Sequence, residues 1–175
     1  MTGSSRGVPP VSTVFSFPNP VNEVAARTVA TGVVIMAVGA IAFRQYWLLI
    51  PLAYGFLARV LTGPKLSPLG QIATKVVAPR LSDRARLVPG PPKRFAQAIG
   101  ATLTVAALIL YFGFGAIGAA QVLLAMLVVA AFLEAALAFC LGCKIFAVLM
   151  RIGLVPPEVC EECNDIWSRY RTTGP

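Results

Sequence analysis

Four long apolar stretches, separated by polar and basic segments, set out the plan of this chain. Asn22 can cap a helix whose first turns hold Glu23 and Arg27, and the apolar run to Phe43, extended back through Ala25, is long enough to cross a bilayer. Arg44 and Gln45 end it. A second run, Tyr46 to Thr62, carries Tyr46 and Trp47 at one edge, where amphipathic rings favour the headgroup level. It is short and holds Pro51, which fits a re-entrant helix, but the basic segment that follows favours a full second span. A third run is entered through Lys93, Arg94 and Phe95. Gly113-Phe114-Gly115 and Gly118 then permit a tight reversal, and a fourth helix from Ala119 to Leu141 covers roughly 33 Å at 1.5 Å per residue. Spans at about 25–43, 46–62, 95–112 and 119–141 predict an all-α polytopic membrane protein whose four transmembrane helices form two hairpins.

The remaining segments fit around these spans. Residues 1–20, rich in Pro, Ser, Thr and Gly, read as a flexible tail, residues 21–152 as the membrane domain, and residues 153–175 as a cysteine-containing tail. The central segment, residues 63–94, carries Lys65, Lys75, Arg80, Arg84, Arg86, Lys93 and Arg94 against one acid, Asp83. That excess places it, and both termini, in the cytoplasm by the positive-inside rule. Within it Leu69, Ile72, Val76 and Val77 recur at helical spacing, which predicts an amphipathic helix on the inner leaflet. Pro89, Pro91 and Pro92 are expected to stop regular structure before the third span. The apolar pattern continues past Leu141 to Arg151, too long for one upright helix, so a bend near Gly142 should lay the last segment along the interface. Arg27 and Arg94 open the two hairpins in a similar way, a faint two-fold character.

Composition sharpens the assignment. Of 175 residues, 57% are hydrophobic and 13% charged, and mean hydropathy is +0.77, values of a bilayer protein. The net charge of +8 flanks apolar runs rather than forming an aromatic-interleaved patch, so no nucleic-acid partner is expected. There is no histidine, which removes histidine-based acid, base and ligand chemistry.

Four cysteines and one carboxylate carry what chemistry remains. Cys140 and Cys143 are three residues apart, so on a helix both sulfurs share a face. This suits a dithiol/disulfide couple or half a metal site. If the fourth helix ends there, its dipole opposes a thiolate, and Lys144 is the nearby charge that can lower a thiol pKa. Cys160 and Cys163 follow Pro156 and Pro157 among Glu158, Glu161, Glu162 and Asp165, a helix-start pattern. Together the four fit the spacing of a four-thiolate site, with zinc the leading candidate; two disulfides satisfy the same spacing. Glu134 lies inside the fourth span and needs a partner or a proton. Arg59 in the second span either snorkels to the interface or, at comparable depth, pairs with Glu134 as a structural lock; a proton-handling or substrate-contacting role is the other reading of Glu134.

These stretches resemble domain-of-unknown-function family 4395, small bacterial integral membrane proteins. The likeness runs through residues 20–152: Asn22 to Arg27, Arg59, Pro92-Lys93-Arg94-Phe95-Ala96-Gln97-Ala98-Ile99-Gly100, and Leu133-Glu134 followed by Phe139-Cys140-Leu141-Gly142-Cys143. The aromatic typical two residues after the second cysteine falls on Ile145, with Phe146 next. The resemblance implies thiol or sulfur handling over a purely structural role; the leading reading of the residues takes Cys140 and Cys143 as the working couple and Cys160 and Cys163, a pair found in only part of the family, as a second couple or exchange partner. A soluble thiol or sulfur-carrier protein is the implied partner. Two further readings stand beside this one: a non-catalytic metal-binding module of four thiolates, and a small transporter of a sulfur compound or ion acting as a homo-oligomer.

Overall fold

The computed structural model describes residues 19–81, 86–156 and 159. Among the described residues four helices are long and apolar enough to cross a membrane, and one extra helix follows them, so the protein is all-α with a multi-pass membrane topology. A short pairing of β1 (Val21–Asn22) with β2 (Leu87–Val88) ties the start of the chain to the segment before the third span. Asn19, assigned by sequence to the tail, joins this tie, its Oδ1 accepting a hydrogen bond from Gly90 N at 2.8 Å.

Helix α1 (Glu23–Ala42) starts where the pattern predicts, with Asn22 Oδ1 accepting from Val24 N at 2.9 Å. Its inward stripe is Ala25, Val29, Val33, Ala37 and Ala40, small residues that let neighbouring helices approach closely. A turn of 3-10 helix (Tyr46–Leu48) leads into α2 (Leu49–Thr62). The two aromatics at this edge separate: Trp47 is exposed, whereas Tyr46 is buried, stacked on Tyr111 at 4.3 Å and accepting from Gln121 Nε2 at 2.7 Å.

Beyond Thr62 the chain departs from expectation. Helix α3 (Pro68–Ile72) and a π-helical turn (Ala73–Val77) pack against α1, and α4 (Ala78–Arg80) continues from that turn, instead of forming a separate surface helix. Ala73 is fully buried, and Leu69 sits so close to Gly32 that a Cβ there would lie 2.7 Å from it. Gly32 is near the middle of α1, so the start of α3 reaches the central register of the bundle. The segment therefore buries its small residues on α1 and turns Ile72 and Val76 outward.

The prolines at 91 and 92 do not stop a helix; they begin one. Helix α5 runs Gly90–Phe112 with Pro in its first turn, where the missing N–H costs nothing. Lys93 thereby becomes a helical residue and not a flank. After the Gly113–Ala116 turn, in which Gly115 takes a φ of 64°, α6 (Ile117–Leu137) returns. It ends four residues before the predicted boundary, at Ala138 with a left-handed φ of 54°. Helix α7 (Leu141–Arg151) then starts at Cys140, so the bend lies before the first cysteine instead of at Gly142.

The faint two-fold character is pronounced in three dimensions. Helix α1 packs most extensively on α6, and α5 on α2. Arg27 and Arg94 are each the fifth residue of their helix. Arg27 donates to the Ala135 and Ala136 carbonyls at 3.0 and 3.2 Å, and Arg94 to the Val60 carbonyl at 3.0 Å. Each therefore neutralises the C-terminal carbonyls of the helix its own helix lies against. Helix α3 and the π-helical turn after it pack on α1 as α7 packs on α5.

Candidate functional site

The site forms where α5, α6 and α7 meet. Lys93 is the fourth residue of α5 and Glu134 the fourth from the end of α6. These neighbouring helices run in opposite directions, so the two residues share one level. They form a buried salt bridge, with side chains only 10% and 12% exposed. Glu134 is thus paired, as an intramembrane carboxylate should be, but with Lys93 and not with Arg59.

Arg59 has neutral partners instead. Its Nε donates to Gln97 Oε1 at 2.8 Å, its Nη1 to Ser67 Oγ at 3.0 Å, and its guanidinium lies 4.5 Å from the Phe56 ring centre. Its side chain turns back toward Gly55, one turn nearer the centre of α2, as helical side chains do. That takes the guanidinium away from the end of the bundle where Glu134 stands.

The cysteine pair occupies the start of a helix, which reverses the expected electrostatics. Ala138 in the left-handed conformation closes α6, its N–H reaching back to Glu134 O at 3.1 Å. The chain then extends through Cys140, whose Sγ accepts a hydrogen bond from Cys143 N at 3.4 Å. Cys140 is the N-cap residue of α7 and Cys143 its third residue. Unpaired N–H groups and the positive end of the helix dipole now favour a thiolate. Both residues are half-buried thiols.

Lys93, not Lys144, is the cation that acts on this pair. Lys144 is exposed, with its Nζ 5.7 Å from the Phe139 ring centre. The two thiols share their protons unequally. Cys143 is held below the ordinary thiol range, first by the hydrogen bond it receives from Cys140 and then by the Lys93 ammonium, against burial and the Glu134 carboxylate. Cys140 is raised far above that range by giving the same hydrogen bond, by burial and by the charge on Cys143. The pair therefore loses one proton readily and holds the second.

Gly142 has a packing reason to be glycine. A Cβ there would lie 2.6 Å from Ala96 Cα, so only glycine lets α7 rest on the backbone of α5. Phe146, four residues further along the helix, packs on Phe95 with ring centres 5.6 Å apart. Cys140, Gly142, Lys93 and Glu134 border a partly open cavity of about 110 Å³ between the helices.

Cys160 and Cys163 lie outside the described residues. Among the described residues no group of three or more Cys, Asp or Glu side chains stands together to hold a metal ion. Lys93 and Gln97 are the site residues that sequence reasoning passed over as functional groups. The signal for Lys93 was present: a lone intramembrane carboxylate needs a cation at its own level, and a proline-led helix start puts one there.

A family model described as "Domain of unknown function (DUF4395)" matches residues 21–151. No curated protein matches the chain. No solved structure matches it.

Proposed function

The chain belongs to this family, and on that premise we propose that it is a membrane protein of thiol/disulfide or sulfur handling in which Cys140 and Cys143 form a reversible couple. One observation carries this reading: the pair sits at the N-terminus of α7 against the buried Lys93–Glu134 bridge. A redox couple needs a thiolate available near neutral pH and a second sulfur within reach of it. The cap geometry supplies the second, and the dipole with Lys93 favours the first.

Arg27, Arg86, Lys93 and Arg94 lie at the end at which α1 and α5 begin. Under the positive-inside rule that end faces the cytoplasm, with two hairpins crossing outward and back. The couple is then presented to a cytoplasmic soluble thiol or sulfur-carrier protein, with Cys160 and Cys163 as an exchange pair on the tail.

Metal content by plasma mass spectrometry on anaerobically purified protein, paired with a free-thiol count before and after reduction, tests this reading. It predicts no stoichiometric metal and two or four thiols that appear only on reduction. One metal per chain with four protected thiols would replace it with the four-thiolate metal module, for which zinc is the candidate. Thiols that stay reduced under oxidising challenge would remove it.

A further inference from the structure

The cavity beside Cys140 bears on where the electrons of such a couple go. Its walls include Val29, Val33, Phe56, Leu103 and Leu127, and its polar groups are Cys140, Gln97, Lys93 and Glu134. The polar groups gather toward the end where α5 begins, and the apolar ones line the part nearer the bundle centre. At about 110 Å³ and partly open, it approaches the size of a cavity of about 150 Å³ that holds a benzene ring. The closed part is smaller than that, so a six-membered ring would enter edge-first and keep its substituents in the open side.

Resting on the reading of Cys140 and Cys143 as a reversible couple, we propose that this cavity binds the ring of a lipid-soluble quinone, which oxidises the dithiol. The two thiols give up two electrons and two protons. The S–S bond forms as both S–H bonds break, and the quinone takes up the electrons and protons as its two C=O groups become C–OH. No other co-reactant is needed. Cys140 lines the cavity and Cys143 does not, so the thiol next to the ring is backed by the one that closes the disulfide. An acceptor dissolved in the bilayer can reach an apolar space between spanning helices, whereas a water-soluble acceptor has no such affinity for it.

The polar wall suits the two ring oxygens. Lys93 is a donor at the thiol end. Gln97 Oε1 is already held by Arg59 Nε at 2.8 Å, which leaves the Gln97 amide N–H groups as donors toward a ligand. Arg59 is thereby a positioning residue: it fixes which end of the Gln97 amide the cavity meets.

The test uses the full chain in quinone-free phosphatidylcholine nanodiscs, fully reduced under anaerobic conditions. It is mixed with a short-chain benzoquinone or naphthoquinone and, in parallel, with glutathione disulfide. Quinone absorbance and alkylatable thiols are followed together. The expected result is one quinone reduced for each Cys140–Cys143 disulfide formed. Oxidation by glutathione disulfide with no reduction of either quinone would overturn the inference and leave the proposed couple standing. Failure of both oxidants would overturn both. Ala131→Phe, which fills the cavity wall, is expected to lower the ratio of quinone rate to glutathione-disulfide rate at least tenfold; an unchanged ratio would overturn the cavity as the binding place. Arg59→Lys, which keeps the charge but not the fixed fork, is expected to raise the KM for quinone more than it lowers kcat.

Discussion

The two halves of the bundle use one plan with different chemistry at the same point. In the first half Arg59, fourth from the end of α2, faces Ser67, whose Oγ caps α3 by accepting from Gly70 N at 3.3 Å. In the second, Glu134, fourth from the end of α6, stands beside Cys140, whose Sγ caps α7 by accepting from Cys143 N at 3.4 Å. The first arrangement is closed on itself: Arg59 is satisfied by Ser67, Gln97 and Phe56, and the capping hydroxyl is fully buried. The second is open, because its capping sulfur borders a cavity and its charge is balanced by a cation. The contrast teaches that the capped re-entry after a spanning helix is the structural device, and that the sulfur pair beside a charge pair is the specialisation.

Substitutions can break this contrast, and the largest effect is expected at the couple itself. Cys140→Ser or Cys143→Ser should abolish reversible disulfide formation in the membrane domain, measured by mass-tag alkylation across a redox series. Ser67→Cys, by contrast, should create a thiol that alkylates slowly, since it is buried and has no second sulfur.

Next in size is the charge pair. Lys93→Met strands Glu134, and loss of one partner of a buried bridge costs about 3–5 kcal/mol. Thermal unfolding in detergent should show a large drop, with partial recovery in Lys93→Met combined with Glu134→Gln. Arg59→Met strands only neutral groups and should cost less, about 1–3 kcal/mol.

Helix contacts differ in a third, smaller way. Gly142→Val drives a side chain into the Ala96 backbone, an overpacking of about 1–3 kcal/mol, and should also separate the thiols from Lys93 and slow their alkylation. Gly32→Ala meets only the flexible end of Leu69 and should cost less, by the same unfolding measurement.

The mildest effect is in pH. A thiol with a lowered pKa keeps its thiolate as pH falls below the ordinary cysteine range, whereas a thiol with a raised pKa has none to keep. Alkylation of Cys143 should therefore decline less than that of a free cysteine between pH 9 and pH 7, while Cys140 stays slow throughout. Lys93→Met removes the attraction that favours the thiolate, so the Cys143 profile should move to higher pH.

Much of this architecture is legible in the sequence because hydropathy acts over whole spans. Asn22, the glycine turn at Gly115 and the four apolar runs all have local signals of known cause. The site is less legible because it depends on boundaries. Lys93 beside two prolines looks like an interfacial anchor until the helix is seen to begin at Gly90. The break that places Cys140 at a helix start rests on Ala138 in a left-handed conformation, and alanine carries no signal for it. From that one boundary follows the reversal of the dipole acting on the thiols. The Arg59–Glu134 pairing failed for a related reason: matching depth along two helices does not say which way a long side chain turns. The Cys160/Cys163 pair lies outside the described residues.

The central claim is that Cys140 and Cys143 are a working couple. Its most direct measurement is an equilibrium titration of the full chain in glutathione redox buffers, with the linked peptides mapped by mass spectrometry. The account predicts that the two thiols disappear and return together, through a Cys140–Cys143 disulfide, with the linkage retained when Cys160 and Cys163 are both replaced by serine. Thiols that remain reduced across the whole series, or a linkage that joins either residue only to the tail, would contradict it.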